Sequence, residues 1–594
     1  MYLKCHRRLK DGKEHRYWSI AEKRRCAGGR VVDRHVLYLG EINDSQRESW
    51  LRCIEAFDDS EGRQRRLALF PADRAIPEHA KDCGVQVRLS EFRLERPRQW
   101  GACWAFVKLW EELGLDRFWQ ARLPQSREGT NWYHVLMLLA AYRLIDPGSE
   151  WRLHRQWYEH SAMGDLLGED FAIAAKDTLY RCLDQLLAHK EDLFSFLVSR
   201  WQDLFGVSYD VLLYDLTSTY FESDPPFAEG SKRQYGYSRD HRPDCVQVVI
   251  AVVVTPEGFP LAYEVMAGNT ADNTTLPGFL DRIEARYGKA RRIWLMDRGI
   301  PTEEQLAQMR ARGIRYLVGT PKGRLTRLEQ ALLERPWKQA RPSVRVKLLP
   351  SDQELYVWVQ SHARVQKERA MRRRRLKRLW ARLKALQKQR PTYETLLLKL
   401  GAAQKEAGRV SSLVRIELPE PPANGERSRR VSFRFALDRD KLRAVYRREG
   451  RYLLRSNLTE TDPASLWEFY LQLVEVEAAF KNLKGDLTLR PIFHQREHRI
   501  EAHIFVAFLA YCLHVSLREK LRRRAAGLTV RQVLDKLASL QMLDVHFPTT
   551  DGRELIFTRH TEPEKDHQLL LAQLRWTLPS QPPPRITAKR AVEL

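Results

Sequence analysis

Asp215 lies in the middle of VLLYDLTSTYFE, Val211 to Glu222, a run whose branched and aromatic residues suit a packed β-strand. Apolar residues fill both alternating sets just before it, so the strand is expected to be covered on both faces, where an unpaired carboxylate costs several kcal/mol. Asp297 ends a second such run, IWLMDRGI, at the carboxyl end of a strand, where open α/β sheets hold their ligands. Two carboxylates side by side repel, and both stay ionised at neutral pH only if cations or donors share the site. A pair of Mg²⁺ ions would meet that need. A third ligand is expected from the helix that contains YLQLVEVEAAFKNLKGDL, where Tyr470, Glu477 and Lys484 recur every seven residues. At about 100° per residue, seven residues fall about 20° short of two turns, so the three form one stripe beside Leu473, Val476, Phe480 and Leu483. Glu475 lies about 200° from Glu477 and faces away.

The elements that must position these acids can be read from the pattern between 206 and 322. The Asp215 strand is followed by CVQVVIAVVV, a turn TPEGFP and LAYEVMAG, then a helix, RRIWLMD, a second helix and RYLVGT. A three-strand meander followed by two right-handed crossovers, with a last helix after an insertion, is the order of a ribonuclease-H-like core within a multidomain α/β chain. That core is expected at 206–322 and 451–525. An insertion at 323–450 carries a basic helical hairpin: residues 364–390 hold 13 Lys/Arg against Glu368 alone, with Leu376, Leu379, Leu383 and Leu386 as its packing seam. Ahead of the core, 1–95 reads as a basic α+β domain with an amphipathic helix near Gln46 to Phe57. Residues 96–205 read as a helical domain suited to DNA binding. The remainder, 526–594, is a C-terminal region whose Pro-rich tail after Trp576 is expected to be disordered.

The chain has 594 residues, a formal net charge of +25 and eight scattered cysteines without zinc spacing. The charge points to a polyanionic partner, nucleic acid before membrane, and no apolar run is read as long enough to span a bilayer. With no secretory h-region at the start, a cytoplasmic, nucleoid-associated protein is expected.

At the last helix the chain resembles bacterial insertion-sequence transposases of the DDE type, in the insertion-sequence-four superfamily. Their Y-(2)-R-(3)-E-(6)-K signature matches Tyr470, Leu473, Glu477 and Lys484, with leucine in place of the arginine. The stretches YDLTSTYFE, GYSRDHRPD (Gly236 to Asp244), AGNTADN (Ala267 to Asn273), LMDRGI and LRPIFHQREHRIEAH are similar to that family's recurring blocks. The resemblance implies that Asp215, Asp297 and Glu477 bind two catalytic Mg²⁺ ions, with Mn²⁺ able to substitute. It implies that Tyr470 and Lys484 hold transposon-end DNA, with Arg298, Lys481, Arg490 and His494 as further DNA contacts. The partners implied are double-stranded terminal inverted repeats and target DNA, gripped by a homodimer in the synaptic complex.

Each residue also has a plainer reading. Asp210 precedes the apolar run and reads as a strand-entry residue. Arg298 reads nearly as well as a surface charge beside a helix, His494 as a phosphate or structural contact rather than a metal ligand, Trp380 as hairpin core, and the loop with Tyr235, Tyr237, Arg239 and His241 as a solvated turn. Two rival functions remain open at this level: a nuclease of the same fold that hydrolyses without joining strands, and a DNA-binding relative that has lost catalysis.

Overall fold

The computed structural model of the chain describes all residues except 11–12, 26–30, 42–52, 223–224, 226, 228, 289–291, 298, 321–327, 329, 333, 352, 421–429, 459–461, 491 and 589–594. The meander forms as expected from strands β1 (Val211–Phe221), β2 (Val246–Val254) and β3 (Pro260–Ala267), paired antiparallel. All of β2 is buried, which accounts for its unbroken apolar sequence. Gly258, at φ 84°, lets the TPEGFP turn close. Helix α1 (Asp272–Tyr287) leads to β4 (Ile293–Met296), and α2 (Glu303–Ala311) leads to β5 (Arg315–Gly319). Strand β4 pairs parallel with both β1 and β5.

The sheet then grows beyond the expected core. Strands β6 (Lys338–Arg341), β7 (Val344–Ser351) and β8 (Glu354–Ser361) lie within the range read as an insertion, yet they join the same sheet through β9 (Arg451–Ser456). The nine strands run in the order β3-β2-β1-β4-β5-β9-β8-β7-β6. Strand β9 covers the open edge of β5 antiparallel, with Leu317 opposite Ser456, and so satisfies backbone groups that would otherwise face solvent. Outside the sheet, helices α3 (His362–Gln389) and α4 (Tyr393–Ala407) form the basic hairpin, closed by Leu379, Leu383 and Leu386 against Leu396, Leu400 and Ala403.

The two faces of the sheet are covered by different helices. Leu212, Tyr214, Leu216, Trp294 and Met296 pack with Leu276, Phe279 and Leu306 of α1 and α2. The opposite face, with Leu213, Leu295 and Leu317, packs in one core with α5 (Pro463–Lys481), α6 (Glu497–Arg524) and the helices between residues 101 and 205.

Three expectations need correction. Residues Ile54–Asp58 form a strand where the end of an amphipathic helix was expected, and the rest of that stretch lies largely outside the described residues. Alternating burial along IEAFD fits a strand, whereas Trp50, Leu51, Ile54 and Phe57 also fall at helical spacing in the sequence. The tail is ordered as far as it is described: Arg585–Ile586 pairs with both Ile54–Asp58 and Glu554–His560. Those segments, with Arg63–Pro71, Gly84–Val87, Arg93–Gln99 and Gln541–Pro548, make one seven-stranded sheet from both chain ends. Finally, α6 is long and apolar enough to cross a membrane, but 94% of its apolar window is buried inside the protein. Its composition reflects contacts on every side, with Trp132–Ile145, Lys176–Leu186 and Lys190–Phe205 among its neighbours.

Candidate active site

Strand pairing brings the two aspartates abreast. In the parallel β1/β4 register Met296 stands opposite Tyr214, so the next residues, Asp297 and Asp215, meet at the carboxyl end of β4. Alternation sets their direction: Asp215 shares a face with Leu213, and Asp297 follows the parity of Leu295, both of which pack into the core beneath α5. Tyr214 points the other way, its hydroxyl 2.6 Å from Thr275 Oγ1 on α1. Helix α5 packs against β1, β4 and β5 and carries Glu477 over the same face.

Asp215 is half-buried, while Asp297 and Glu477 are exposed. Asp215 Oδ1 accepts from the Leu216 amide at 2.8 Å. Burial, to which the neighbouring Asp297 charge adds, pushes the Asp215 carboxyl up to about 7, against the opposing amide and Arg239. Among the described residues, none of the three acids has a Lys or Arg partner within ion-pair distance. Glu475, by contrast, is paired with Arg518 of α6 at 3.3 Å, away from the sheet acids.

The contacts beyond the triad differ from the sequence reading in several places. A π-turn, Asn482–Asp486, follows α5 and carries Lys484, so the seven-residue stripe does not continue as regular helix. Lys484 is nearly buried and its Nζ donates to Asp240 at 2.8 Å; Arg490 pairs with the same carboxylate and lies 6.0 Å over the Tyr220 ring. Burial lowers the Lys484 pKa, and Asp240 opposes that shift. Tyr470 stacks with Tyr452 at 5.1 Å and Trp467 at 6.0 Å. Leu473, at the family's arginine position, packs on the main core. Lys481 is exposed, and Arg298 lies outside the described residues.

His494 is buried, which corrects its assignment as a DNA contact. Its Nε2 lies 3.2 Å from Glu150 Oε1 and 3.2 Å from His503 Nδ1, which is itself 3.0 Å from Glu150. Glu150, His494 and His503 are the one group of three such side chains, among the described residues, whose ligand atoms lie within 4.8 Å of one another. A divalent ion there would meet the Arg143 guanidinium, 3.5 Å from His503 Nδ1 and 3.7 Å from Glu150. Arg143 already balances the Glu150 charge, so the group reads as an internal polar network. Arg143 also donates to the carbonyls of Leu487 and Thr488, just past the π-turn. Nothing in the sequence spacing ties Arg143 and Glu150 to the two histidines.

Two loops that bear family blocks close over the end of the sheet. A Cβ on Gly236 would meet the Gly268 carbonyl at 2.1 Å, and one on Gly268 would meet that of Gln247 at the same distance, so only glycine permits this approach. Gln247 Nε2 ties them further, donating to the carbonyls of Tyr237 and Gly268. Tyr235 and Tyr237 are exposed there, while Arg239 pairs with Asp272 at the start of α1. On the basic arm, Arg373, Arg374 and Arg375 are exposed, but Arg372 is buried against Glu449.

The profile described as Transposase DDE domain matches residues 207–513, more than half of the chain. The chain belongs to the DDE transposase domain family. The match covers the stretch that bears Asp215, Asp297, Glu477 and Lys484 of this DDE-family chain. No curated protein matches its sequence. Among solved structures it is similar to the piggyBac transposase synaptic complex with hairpin DNA, at TM-score 0.34 and 10% identity over 75% of this chain and 82% of that one. It is also similar to the Mos1 transposase paired-end complex with left transposon end, at TM-score 0.14 and 11% identity over 32% and 60% of the two chains. Likenesses that loose add nothing to the family match.

Proposed function

We propose that the chain is a DNA transposase that cuts the ends of its element and joins them to target DNA, with Asp215, Asp297 and Glu477 as holders of two Mg²⁺ ions. The observation that carries the reading is the β1/β4 register, which sets Asp215 beside Asp297 on the face overlaid by the Glu477 helix, in a chain of the DDE family. The order β3-β2-β1-β4-β5 within the sheet supports a ribonuclease-H-like core.

The acids fit such ions. Three carboxylates from three elements are a hard oxygen donor set, and Asp215 stands half-buried beside a second acid without a cation partner among the described residues. When bound, divalent ions supply a more acidic attacking water or 3′-hydroxyl and neutralise charge on the leaving oxygen. The protein's part is to fix the three carboxylates and to seat the DNA phosphates. Lys484 and Arg490 would hold phosphates of the end, Tyr470 and Lys481 would flank them, and Arg373, Arg374 and Arg375 would add sequence-independent grip. Exchange of one phosphodiester for another needs no ATP. Two copies would pair two ends, in the bacterial nucleoid.

The test uses a labelled duplex bearing the terminal inverted repeat that flanks the gene, with Mg²⁺ and a target plasmid. Asp215→Asn, Asp297→Asn and Glu477→Gln each abolish cutting and leave end binding largely intact. Cutting without joined product would favour a hydrolytic nuclease. Normal cutting by Glu477→Gln with loss in Glu475→Gln would overturn the choice of glutamate.

A further inference from the structure

The loop between β1 and β2 holds a buried acid whose partners are the cations just assigned to DNA. Asp240 has a side chain only 8% exposed, and its Oδ1 receives both Lys484 Nζ and the Arg490 guanidinium. Its Oδ2 is buried with no hydrogen-bond partner among the described residues. The loop cannot readily yield. On one side Arg239 is paired with Asp272; on the other, His241 takes φ 58° and the Arg242 amide donates to Ser238 Oγ at 3.0 Å. Asp240 therefore joins a braced loop to the π-turn after α5.

We propose that Asp240 is a positioning residue that holds Lys484 and Arg490 side by side for phosphates of the bound DNA end; the inference rests on the transposase reading above. An ammonium on a four-carbon stem samples many rotamers, and one buried carboxylate confines it to a single place. Donors remain for the ligand. Lys484 has three N–H groups and Arg490 five, and Asp240 engages only part of each set. Arg490 is about a third exposed, so its free edge faces outward beside Tyr220. The competing account is a buried ion pair that serves the fold alone.

The two accounts part in the kinetics of the full chain on the labelled inverted-repeat duplex. Asp240→Asn is expected to slow single-turnover cutting at saturating enzyme about a hundredfold, the cost of misplacing a contact by about 1 Å, with end affinity changed less than about tenfold. Because Asp240 acts through Lys484 as well as Arg490, adding Asp240→Asn to Lys484→Gln should slow cutting by much less than Asp240→Asn does in the wild-type chain. Should Asp240→Asn fail to fold, Asp240→Glu keeps the charge and displaces it, and at least tenfold slower cutting is expected. Wild-type rates in the single variants, or a double variant slower by the product of the two single effects, overturn the inference alone. A wild-type chain that neither binds nor cuts the duplex overturns the transposase reading and the inference with it.

Discussion

Asp215 and Asp240 are carboxylates on the same stretch of chain, both withdrawn from solvent, and they keep opposite company. Asp215 faces a second acid, has no Lys or Arg partner among the described residues, and has its carboxyl pushed up to about 7 by burial. Asp240 is matched by Lys484 and Arg490. The difference separates an acid that needs an external cation from one that spends its charge inside the protein. Glu150 belongs with Asp240: burial opposes its charge, but His503 and His494 hold its carboxyl well below the ordinary range, and Arg143 stands near.

The strongest attempt to break this comparison measures Mg²⁺ binding directly. Asp215→Asn should lose calorimetric Mg²⁺ binding along with all cutting, as chelation does, while Asp240→Asn keeps Mg²⁺ binding. Loss in both would make the two acids one site.

A smaller effect tests Glu150. Removing one member of a buried charged network leaves Arg143 uncompensated, so Glu150→Gln should cost about 3 kcal/mol in urea unfolding. If Zn²⁺ or Mn²⁺ raises the wild-type melting midpoint and this variant abolishes the rise, the network is a cation site after all.

The same network has a pH signature. Burial and the Arg143 charge push His503 down to about 4 from an ordinary value near 6.5. Between those values the unfolded chain takes up a proton that the folded chain refuses, so stability falls as pH drops through that window. His503→Gln should flatten the decline seen in thermal melts from pH 7 to pH 4.

The basic arm offers a graded contrast. Neutralising Arg373, Arg374 and Arg375 should reduce the slope of log K against log salt by about 0.9 for each phosphate that the arm no longer neutralises. Arg372→Gln should instead destabilise the hairpin, since that guanidinium is buried on Glu449. The smallest effect is expected at Glu475, whose half-exposed pair with Arg518 is worth no more than about 1 kcal/mol; Glu475→Gln should cut DNA normally.

Much of the core is legible in the sequence. The meander, both crossovers, the α5 helix from Pro463 and the hairpin follow from periodicity, and the sheet register that joins Asp215 to Asp297 agrees with the strand assignment. The illegible parts share a cause: they depend on pairing between segments far apart in the chain. The short Arg585–Ile586 strand has no pattern of its own and is recruited by two edges, one of them hundreds of residues away. In the sequence Asp240 is one polar residue in a polar loop, and His494 one charged-looking residue in a basic segment.

By itself, the sequence determined the strands and helices of the core from Val211 to Gly319, the helix from Pro463 and the acids they carry, because the two- and 3.6-residue periods of burial are written locally. Only the tertiary structure decided which charges are available. Lys484, Arg490 and His494 are expected as DNA contacts, and each is claimed, wholly or in part, by a carboxylate from a distant segment, as is Arg372 of the basic arm. Charge is long-ranged and indifferent to sequence separation, so the partner that neutralises a cation is fixed by where the fold brings the chain together.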